Sequence, residues 1–499
     1  MRNQIRKSLC FLRRVAGNTT ANALPVMAVA LIPVLTVVGG GMDYARASLA
    51  KARLQEAVDS AALAGRRAMS NNDLETARAP VNAYIAFNFT NGTYGTSPLN
   101  IELTKPATGV VRVRATTTLD TTLLALAGLD KFNIGAVGEA TQNLDNVDVM
   151  LVLDTTGSMA ESLDGKTKLE TLKTAVRSLY KELEPAQTQL AAQGMRMRIG
   201  IVPYSGSVNV GKVLLAKSAG YLATQHTYYH NFYYNGNWYI GARTYNLSNY
   251  IGGAKFGSPN GHNSGSQSRW AGCVEERQTV SSITANDGRT AAPAAALDLD
   301  IDLIPTDDQS RWKPYIAEPS RGDTNMYCPS EVTPLAELHK NDIETQLGKL
   351  VAQGSTYHDV GMIWATRMLS PGGIFGSDNP STYNGRPVHR YIIYMTDGEM
   401  SAPLGGYSAY GLEYFDRRVG GSSDSDNSAR HSRRFQMACN AAKSRNVSVW
   451  TIAFGTSNNA SLTACASNAD QTSVAANSDA LISKFAEIGR NIGALRLSQ

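Results

Sequence analysis

Three oxygen-bearing side chains follow one apolar strand pattern at alternate positions. The run Val149–Leu153 ends in Asp154, and Thr156 and Ser158 come next with one residue between each pair. A carboxylate supplies negative charge and two hydroxyls supply neutral oxygens, and oxygen ligands of this kind hold Mg²⁺ and Ca²⁺ in proteins. We expect Gly157 to let the backbone turn tightly under an ion. The spacing predicts a hard-cation site at the end of a strand.

Two later segments carry oxygen ligands of the same kind. Thr356 lies in a loop that opens the helical pattern beginning at Val360, and Asp397 follows the apolar run Tyr391–Met395. An alternative interpretation is that Asp154 only caps a helix and that Asp397 only makes an Asp-Gly turn. The ordered recurrence of strand-end carboxylates and hydroxyls along the chain favours one shared ion.

The run Asp154-Thr155-Thr156-Gly157-Ser158 resembles the D-x-[ST]-x-S signature of von Willebrand factor A domains. In that family a metal-ion-dependent adhesion site binds a divalent cation and, through it, an acidic group of a partner. A loop threonine and a strand-end Asp-Gly complete the family's site. The resemblance therefore implies five ligands here: Asp154, Thr156, Ser158, Thr356 and Asp397. Octahedral oxygen coordination with water at open positions suits Mg²⁺, with Mn²⁺ or Ca²⁺ as substitutes.

Strand and helix patterns alternate from residue 145 to the end of the chain. Besides the two strands already named, the patterns predict a helix over 168–183, strands over 197–204 and 447–455, and a final helix over 479–497. Buried strands that alternate with helices indicate a parallel-type α/β sheet with helices on both faces. Ligands of such sheets bind outside the carboxyl ends of strands. With the resemblance, residues 145–499 are expected to form a von Willebrand A-type, Rossmann-like doubly wound sheet.

Two insertions interrupt this expected domain, at about 205–335 and 401–430, and both are rich in aromatic residues. Tyrosine and tryptophan interleaved with asparagine and glycine are typical of recognition surfaces. For the first insertion, the alternative is that these rings pack a small core of the insertion itself, whereas the second insertion follows Asp397 and could gate or shape access to the ion. The candidates for partner binding are Tyr228, Tyr229, Tyr233, Trp238, Tyr239, Tyr407 and Tyr410.

The net charge of the 499-residue chain is +5, and the first twenty residues account for all of it. No acidic residue precedes Asp43, and the cations before it are Arg2, Arg6, Lys7, Arg13 and Arg14. The rest of the chain is neutral overall, which gives no electrostatic indication of nucleic-acid binding.

An uncharged apolar stretch over 21–42 follows this basic leader at 1–20. About 20 such residues span a bilayer as a helix, and cations on its N-terminal side predict a cytoplasmic N-terminus. A cleaved signal peptide is the alternative, although its apolar region is usually shorter, about 7–15 residues. Residues 43–69 are alanine-rich with helical spacing, which predicts a helical stalk. Period-two alternation within 70–144 predicts a small α+β module.

The basic leader, the proline-containing apolar stretch, Asp43-Tyr44 and the run Leu54-Gln55-Glu56-Ala57-Val58-Asp59-Ser60-Ala61-Ala62 together resemble TadE/TadG-like proteins. These belong to the tight-adherence (Flp) pilus systems of bacteria. The resemblance implies a single-pass inner-membrane protein with a periplasmic C-terminal bulk, and pilus or secretion components as partners. The alternative is an ordinary membrane anchor with a helical stalk.

The cysteines agree with export. Cys10 precedes the apolar stretch, and four cysteines follow it: Cys273, Cys328, Cys439 and Cys465. An even number in an oxidising compartment predicts two disulfides. Three pairings are open, and proximity in the sequence favours Cys273–Cys328 with Cys439–Cys465.

These observations favour a non-enzymatic, membrane-anchored factor that binds a protein partner through a cation in a pilus system. A second hypothesis is a cell-envelope von Willebrand A scaffold or sensor unrelated to pili. A third is a metal-dependent hydrolase that uses the same carboxylates to activate water. The third lacks an evident general base, and no His and acid are arranged with Ser158 for a nucleophilic triad.

Overall fold

The alanine-rich segment after the basic leader forms one long helix, α1 (Ala23–Ala68), in the computed structural model of this chain. The structure describes residues 23–69, 73–106, 110–141, 145–254, 269–316, 327–457 and 460–494. The predicted leader at 1–20 and the first two residues of the predicted span at 21–42 lie outside these ranges. Among the described residues, no helix is both long enough and apolar enough to cross a membrane.

The chain divides into two units between residues 143 and 144. Besides α1, the first unit contains α2 (Glu75–Asn88), β1 (Asn100–Thr104), β2 (Val110–Asp120) and β3 (Lys131–Thr141). The three strands form an antiparallel sheet in the order β1-β2-β3.

Alternation along β2 places one set of its side chains in the core of the first unit. Val111, Val113 and Ala115 are buried, and they share a cluster with Leu54 and Val58 of α1. The stalk predicted at 43–69 and the module predicted at 70–144 are therefore parts of one unit with one core.

Asp43 has a structural role in this unit. Its carboxylate accepts hydrogen bonds from the backbone N–H groups of Leu124, Leu123 and Thr122 at 3.0, 2.8 and 3.0 Å, and the side chain is buried. The hydrogen bond from Leu124 is the largest cause that lowers the pKa of Asp43, followed by those from Leu123 and Thr122. The first acidic residue of the chain thus caps a short 3₁₀ turn at Leu124–Ala127.

The second unit begins with β4 (Asn146–Asp154) and continues with many more elements. Its first half contains β5 (Ser162–Leu163), β6 (Lys166–Thr167), α3 (Lys168–Ala191), β7 (Met197–Tyr204), α4 (Gly211–Lys217), β8 (Gln225–Tyr234), β9 (Asn237–Asn246), α5 (Ser248–Ile251), β10 (Val274–Glu275) and β11 (Lys313–Pro314). Its second half contains β12 (Thr333–Ala336), α6 (Lys340–Gly348), α7 (His358–Leu369), β13 (Thr382–Tyr383), β14 (Arg386–Thr396), β15 (Tyr407–Ser408), β16 (Gly411–Leu412), α8 (Glu413–Asp416), α9 (Asp424–Lys443), β17 (Val447–Phe454), α10 (Ala460–Cys465), β18 (Thr472–Ala475) and α11 (Ser478–Ala494).

One large sheet organises this unit, with strand order β12-β7-β4-β14-β17-β18. The pairs from β7 to β18 are parallel, whereas β12 is antiparallel to β7 and β13 pairs antiparallel with β14. The predicted α/β class is confirmed, but the sheet is mixed rather than purely parallel. The antiparallel edge strand β12 overlaps the end of the stretch predicted as an insertion at about 205–335. Its four residues are too few for a clear alternation pattern in the sequence.

Both faces of the sheet are covered, which explains the continuous apolar pattern of its strands. Along β4, Val149 and Leu151 face a core that contains Leu172 of α3 and Phe485 of α11. Met150 and Val152 face the opposite core, which contains residues of α7, α9 and the first insertion.

A buried ion pair joins the first insertion to α7, one disulfide crosslinks the insertion internally, and a second disulfide joins α9 to α10. Glu276 of the insertion accepts hydrogen bonds from Nη1 of Arg367 at 2.8 and 3.0 Å, and both side chains are almost fully buried. The disulfides are Cys273–Cys328 and Cys439–Cys465, the two pairings favoured by proximity in the sequence. The insertion is thus a buried part of the second unit rather than a separate appendage.

Candidate cation site

The order of strands in the large sheet reverses between β4 and β14. On one side of β4 lie β7 and β12, and on its other side lie β14, β17 and β18. Doubly wound sheets bind ligands at such a reversal, in the crevice outside the carboxyl ends of the strands. β4 ends at Asp154, and β14 ends at Thr396, immediately before Asp397. The topology therefore brings two of the predicted ligands to the crevice.

Hydrogen bonds join four of the five predicted ligands. The backbone N–H of Thr156 donates to Oδ1 of Asp154 at 2.8 Å. The hydroxyl oxygens of Thr156 and Ser158 are 3.0 Å apart. Ser158 donates its hydroxyl proton to Oδ1 of Asp397 at 2.7 Å. The loop after β4 thus places its two hydroxyls between two carboxylates that belong to different strands.

The chemistry and spacing of these oxygens fit a hard cation. Because Mg–O bonds measure 2.0–2.1 Å, adjacent ligands of an octahedral ion lie roughly 3 Å apart. The oxygen–oxygen distances of 3.0 Å (Thr156–Ser158) and 2.7 Å (Ser158–Asp397) are close to this distance between adjacent ligands. No group of three or more His, Cys, Asp or Glu side chains that could hold a metal forms among the described residues. Any ion bound here would therefore depend on the hydroxyls.

Asp154 is fully buried beneath this loop. Its Oδ2 accepts hydrogen bonds from the hydroxyls of Thr396 at 2.7 Å and Tyr204 at 3.3 Å. Burial, and then the negative charge of nearby Asp397, raise the pKa of Asp154 to about 6. A cation bound here would offset the cost of burying the charged form of Asp154 and would also offset its repulsion by Asp397. The two neighbouring carboxylates therefore favour the binding of positive charge.

The loop that carries Thr356 lies against the Asp154–Ser158 loop. The N–H of Gly157 donates to the carbonyl of Gly354 at 2.9 Å, and Thr356 exchanges two backbone hydrogen bonds with Ser401, at 3.1 and 2.9 Å. Thr356 is thus held beside the first hydroxyl loop and also beside the segment that follows Asp397.

The backbone makes a short 3₁₀ turn at Gly157–Ala160, but this turn does not require a glycine, whereas the turn at Gly354 does. Gly157 does not have a left-handed backbone, and an added Cβ would make only an ordinary contact, 3.5 Å from the carbonyl oxygen of Gly354. Gly354 has φ +90°, which L side chains rarely adopt, and a Cβ there would lie 3.1 Å from Oγ of Ser205. The turn that requires a glycine is therefore in the loop that carries Thr356.

An open cavity of about 450 Å³ lies next to Thr356. Its wall includes Gly354 and Ser355 from the Thr356 loop and Pro403, Gly405 and Gly406 from the second insertion. Tyr327, Tyr357 and Tyr407 also line it, so the cavity lies beside the Thr356 loop with both small and aromatic residues in its wall.

Sequence reasoning missed Lys168, the first residue of α3. Its Nζ donates to Oδ2 of Asp397 at 2.9 Å and to Oε2 of Glu161 at 2.8 Å. The one sequence signal is that a cation at the N-terminus of a helix opposes the helix dipole, so another contact must hold it there.

The structure separates the aromatic candidates by burial. Tyr228, Tyr407 and Tyr410 are at most 5% exposed and belong to hydrophobic clusters. Tyr228 packs in a small core of the first insertion, which is the alternative interpretation, whereas Tyr407 packs against Tyr315 of that insertion and Tyr410 lies in the large core. Tyr229 and Tyr239 are 39% and 43% exposed on the β8–β9 hairpin. The side chains of Tyr233 and Trp238 lie outside the described part of the structure.

Several solved structures resemble the chain at low sequence identity. The pilus adhesin SpaC from Lactobacillus rhamnosus GG matches with 12% identity and a TM-score of 0.34, over 80% of this chain and 35% of SpaC. The vWF domain of the type V pili tip protein Mfa5 from Porphyromonas gingivalis matches with 11% identity and a TM-score of 0.32, over 70% of this chain and 96% of that domain. The proximal thread matrix protein 1 of the mussel byssus, solved with a zinc-occupied MIDAS motif, matches with 12% identity and a TM-score of 0.30, over 70% and 48% of the two chains. The chain thus spans about a third of the length of SpaC.

The sequence itself matches one family model. None of the curated proteins matches the chain. The matching model describes the Flp pilus-assembly TadE/G-like family and covers residues 21–78. This match confirms the resemblance that the N-terminal residues indicate.

Proposed function

We propose that the second unit binds a divalent cation at the β4–β14 crevice and, through it, an acidic residue of a protein partner. The observation that carries the proposal is the hydrogen-bonded set Asp154–Thr156–Ser158–Asp397 at the strand-order reversal. Thr356 belongs to the adjacent loop and completes the set.

Mg²⁺ is the ion that suits this set, with Mn²⁺ or Ca²⁺ as substitutes. When bound, the ion would supply positive charge and open coordination positions for water or a partner's carboxylate. The chain's own residues orient the site: Tyr204 and Thr396 hold Asp154, and Ser158 holds Asp397. The proposal assigns this site a binding role and no catalytic step.

The partner approaches through the cavity beside Thr356. Its volume of about 450 Å³ leaves room for a short segment that carries an aspartate or glutamate, and its wall offers tyrosine rings as well as small residues. The exposed rings of Tyr229 and Tyr239 are two further candidate contacts, one on each face of the β8–β9 hairpin.

The family match over residues 21–78 supports a place in a Tad/Flp-type pilus system. We propose that partners are pilus or secretion components, and that the N-terminal segment holds the chain in the bacterial inner membrane with the second unit in the periplasm. The support for this location is the sequence pattern of five cations before an uncharged stretch. Protease added to spheroplasts should digest the second unit and leave a membrane-associated N-terminal fragment, whereas full protection of the chain would contradict this topology.

A calorimetric titration of the full-length protein with Mn²⁺ and Mg²⁺ tests the cation site. The wild type should bind one ion, Asp154→Ala should bind none, and Asp308→Ala should bind as the wild type does. Asp308 is a matched control because its side chain is 82% exposed and its ion pair with Arg311 is distant in sequence from the site. Equal binding by wild type and Asp154→Ala would overturn the proposed site.

A further inference from the structure

Lys168 lies between a ligand of the cation site and an exposed carboxylate. Its ammonium contacts Oδ2 of Asp397 at 2.9 Å and Oε2 of Glu161 at 2.8 Å. The Lys168 and Asp397 side chains are 10% and 0% exposed, whereas the Glu161 side chain is 65% exposed. The lysine therefore bridges the inside of the site and its solvent-facing rim.

The position of Lys168 does not stabilise its own helix. It is the first residue of α3, where the helix dipole disfavours a cation. A complete capping box already closes that helix end, because Thr167 accepts from the N–H of Glu170 and Glu170 accepts from the N–H of Thr167. The ion pairs with Asp397 and Glu161 remain as the physical reason for a lysine here.

The two oxygens of Asp397 are already used in this arrangement. Oδ1 accepts from Ser158, and Oδ2 accepts from Lys168. A divalent cation bound by Asp397 and Ser158 would lie on the same carboxylate as the ammonium, and like charges in a buried site repel with little screening. The ammonium and the ion therefore compete for the charge of Asp397.

We propose that Lys168 is an internal counter-ion of the cation site, which neutralises Asp397 in the cation-free protein and moves toward Glu161 when a divalent cation binds. This inference rests on the proposed cation-binding function. It explains how the ligand set stays assembled without an ion, and it makes Lys168 and Glu161 determinants of cation affinity although neither is a ligand.

Titration of full-length variants with Mn²⁺, followed by calorimetry and by the electron paramagnetic resonance signal of free Mn²⁺, tests the role of Lys168. Lys168→Met should bind Mn²⁺ at least tenfold more tightly than the wild type, and Lys168→Gln should shift affinity in the same direction. Glu161→Gln should bind at least threefold more weakly, because the displaced ammonium loses its alternative partner. Lys166→Met is the control, since Lys166 is exposed two residues earlier and should leave affinity unchanged.

The outcomes separate this inference from the proposed function. If the wild type binds Mn²⁺ and Lys168→Met binds it no more tightly, the role of Lys168 is overturned while the cation site stands. If no variant binds Mn²⁺, both proposals fail. Thermal unfolding in EDTA adds a readout without metal, and under this condition Lys168→Met should unfold at a lower temperature than the wild type. Added Mn²⁺ should then raise the unfolding midpoint of Lys168→Met by more than it raises that of the wild type. An unchanged midpoint in EDTA would contradict the role of Lys168 in the cation-free protein.

Discussion

Ser158 donates its hydroxyl proton to Asp397 at 2.7 Å, although 239 positions separate the two residues in the chain. The contact exists because β4 and β14 are neighbours in the sheet and both end at the same edge. It joins the hydroxyl loop after β4 to the Asp-Gly turn after β14. The order of the strands in the sheet therefore brings the two halves of the candidate site together.

Replacement of Asp154 by asparagine should remove the stabilisation that a divalent cation gives to the protein. A ligand present at one hundred times its dissociation constant stabilises the folded state by about 2.7 kcal/mol, which raises the midpoint of thermal unfolding. Asp154→Asn should show no such rise with Mn²⁺, while its midpoint in EDTA should stay at or above that of the wild type, because one buried charge is gone. A rise in Asp154→Asn equal to that of the wild type would contradict the assignment of Asp154 as a ligand.

Loss of the Glu276 carboxylate should strongly destabilise the second unit. Glu276 is buried with Arg367 and also accepts from Nε1 of Trp312 at 3.1 Å, so its removal leaves a buried guanidinium without its acid. Removal of one partner from a buried ion pair costs about 3–5 kcal/mol. Urea unfolding of Glu276→Ala should show this loss.

The double variant Glu276→Met with Arg367→Met provides the control for the Glu276 prediction. Replacement of both charges by apolar groups is often nearly neutral, so the double variant should lose less stability than Glu276→Ala. A double variant that is less stable than the single variant would contradict the ion-pair explanation and would indicate that packing alone sets the cost.

Stability at alkaline pH should report on Lys313 of β11. Burial lowers the pKa of Lys313 to about 8, below its usual value of 10.5. Between these two values the unfolded chain binds more protons than the folded chain, so the contribution of this group to stability rises with pH across that window. Below pH 8 the buried charge carries its full cost, about 3 kcal/mol from the size of the shift.

The variant Lys313→Met should therefore be more stable than the wild type at pH 7, and the difference should shrink as the pH rises from 8 to 10.5. Urea unfolding at several pH values measures this difference. A constant difference across that range would show that the pKa of Lys313 is not lowered in the folded protein.

Two tyrosines of the β8–β9 hairpin should respond differently to truncation. Tyr228 is 1% exposed, and its hydroxyl donates to the carbonyl of Pro314 at 2.6 Å, whereas Tyr239 is 43% exposed. Tyr228→Ala should lose about 3 kcal/mol or more in urea unfolding, since truncation of a large buried ring leaves a cavity. Tyr239→Ala should stay within about 0.5 kcal/mol of the wild type. Equal losses in the two variants would contradict the burial described here.

The positions of the strand-end candidate ligands could be recognised in the sequence because their signal is local. Asp154 and Asp397 each follow an apolar run directly, and the hydroxyls lie within four residues of Asp154. The partner of Lys168 could not be predicted in this way, because Asp397 lies 229 positions away and only the strand order brings the two together. The sequence shows a lysine at a helix start but not the carboxylate that it meets.

The burial of aromatic rings was equally hidden in the sequence. Tyr407 and Tyr410 follow Asp397 in a glycine-rich segment that is typical of an exposed loop, yet Tyr407 donates to Oε1 of Glu275 at 2.7 Å and Tyr410 to Oδ2 of Asp298 at 3.0 Å. Both acids belong to the first insertion. Contacts between two insertions depend on tertiary packing, which neither segment reveals alone.

A crosslinked pull-down of the full-length protein from native envelopes tests the central claim most directly, with Mg²⁺ or EDTA and with wild type or Asp154→Ala. The account predicts that pilus or secretion components carrying an acidic contact residue are recovered by the wild type with Mg²⁺ and are lost in the other three samples. Recovery of the same partners in all four samples would contradict it, because binding would then depend neither on the cation nor on Asp154.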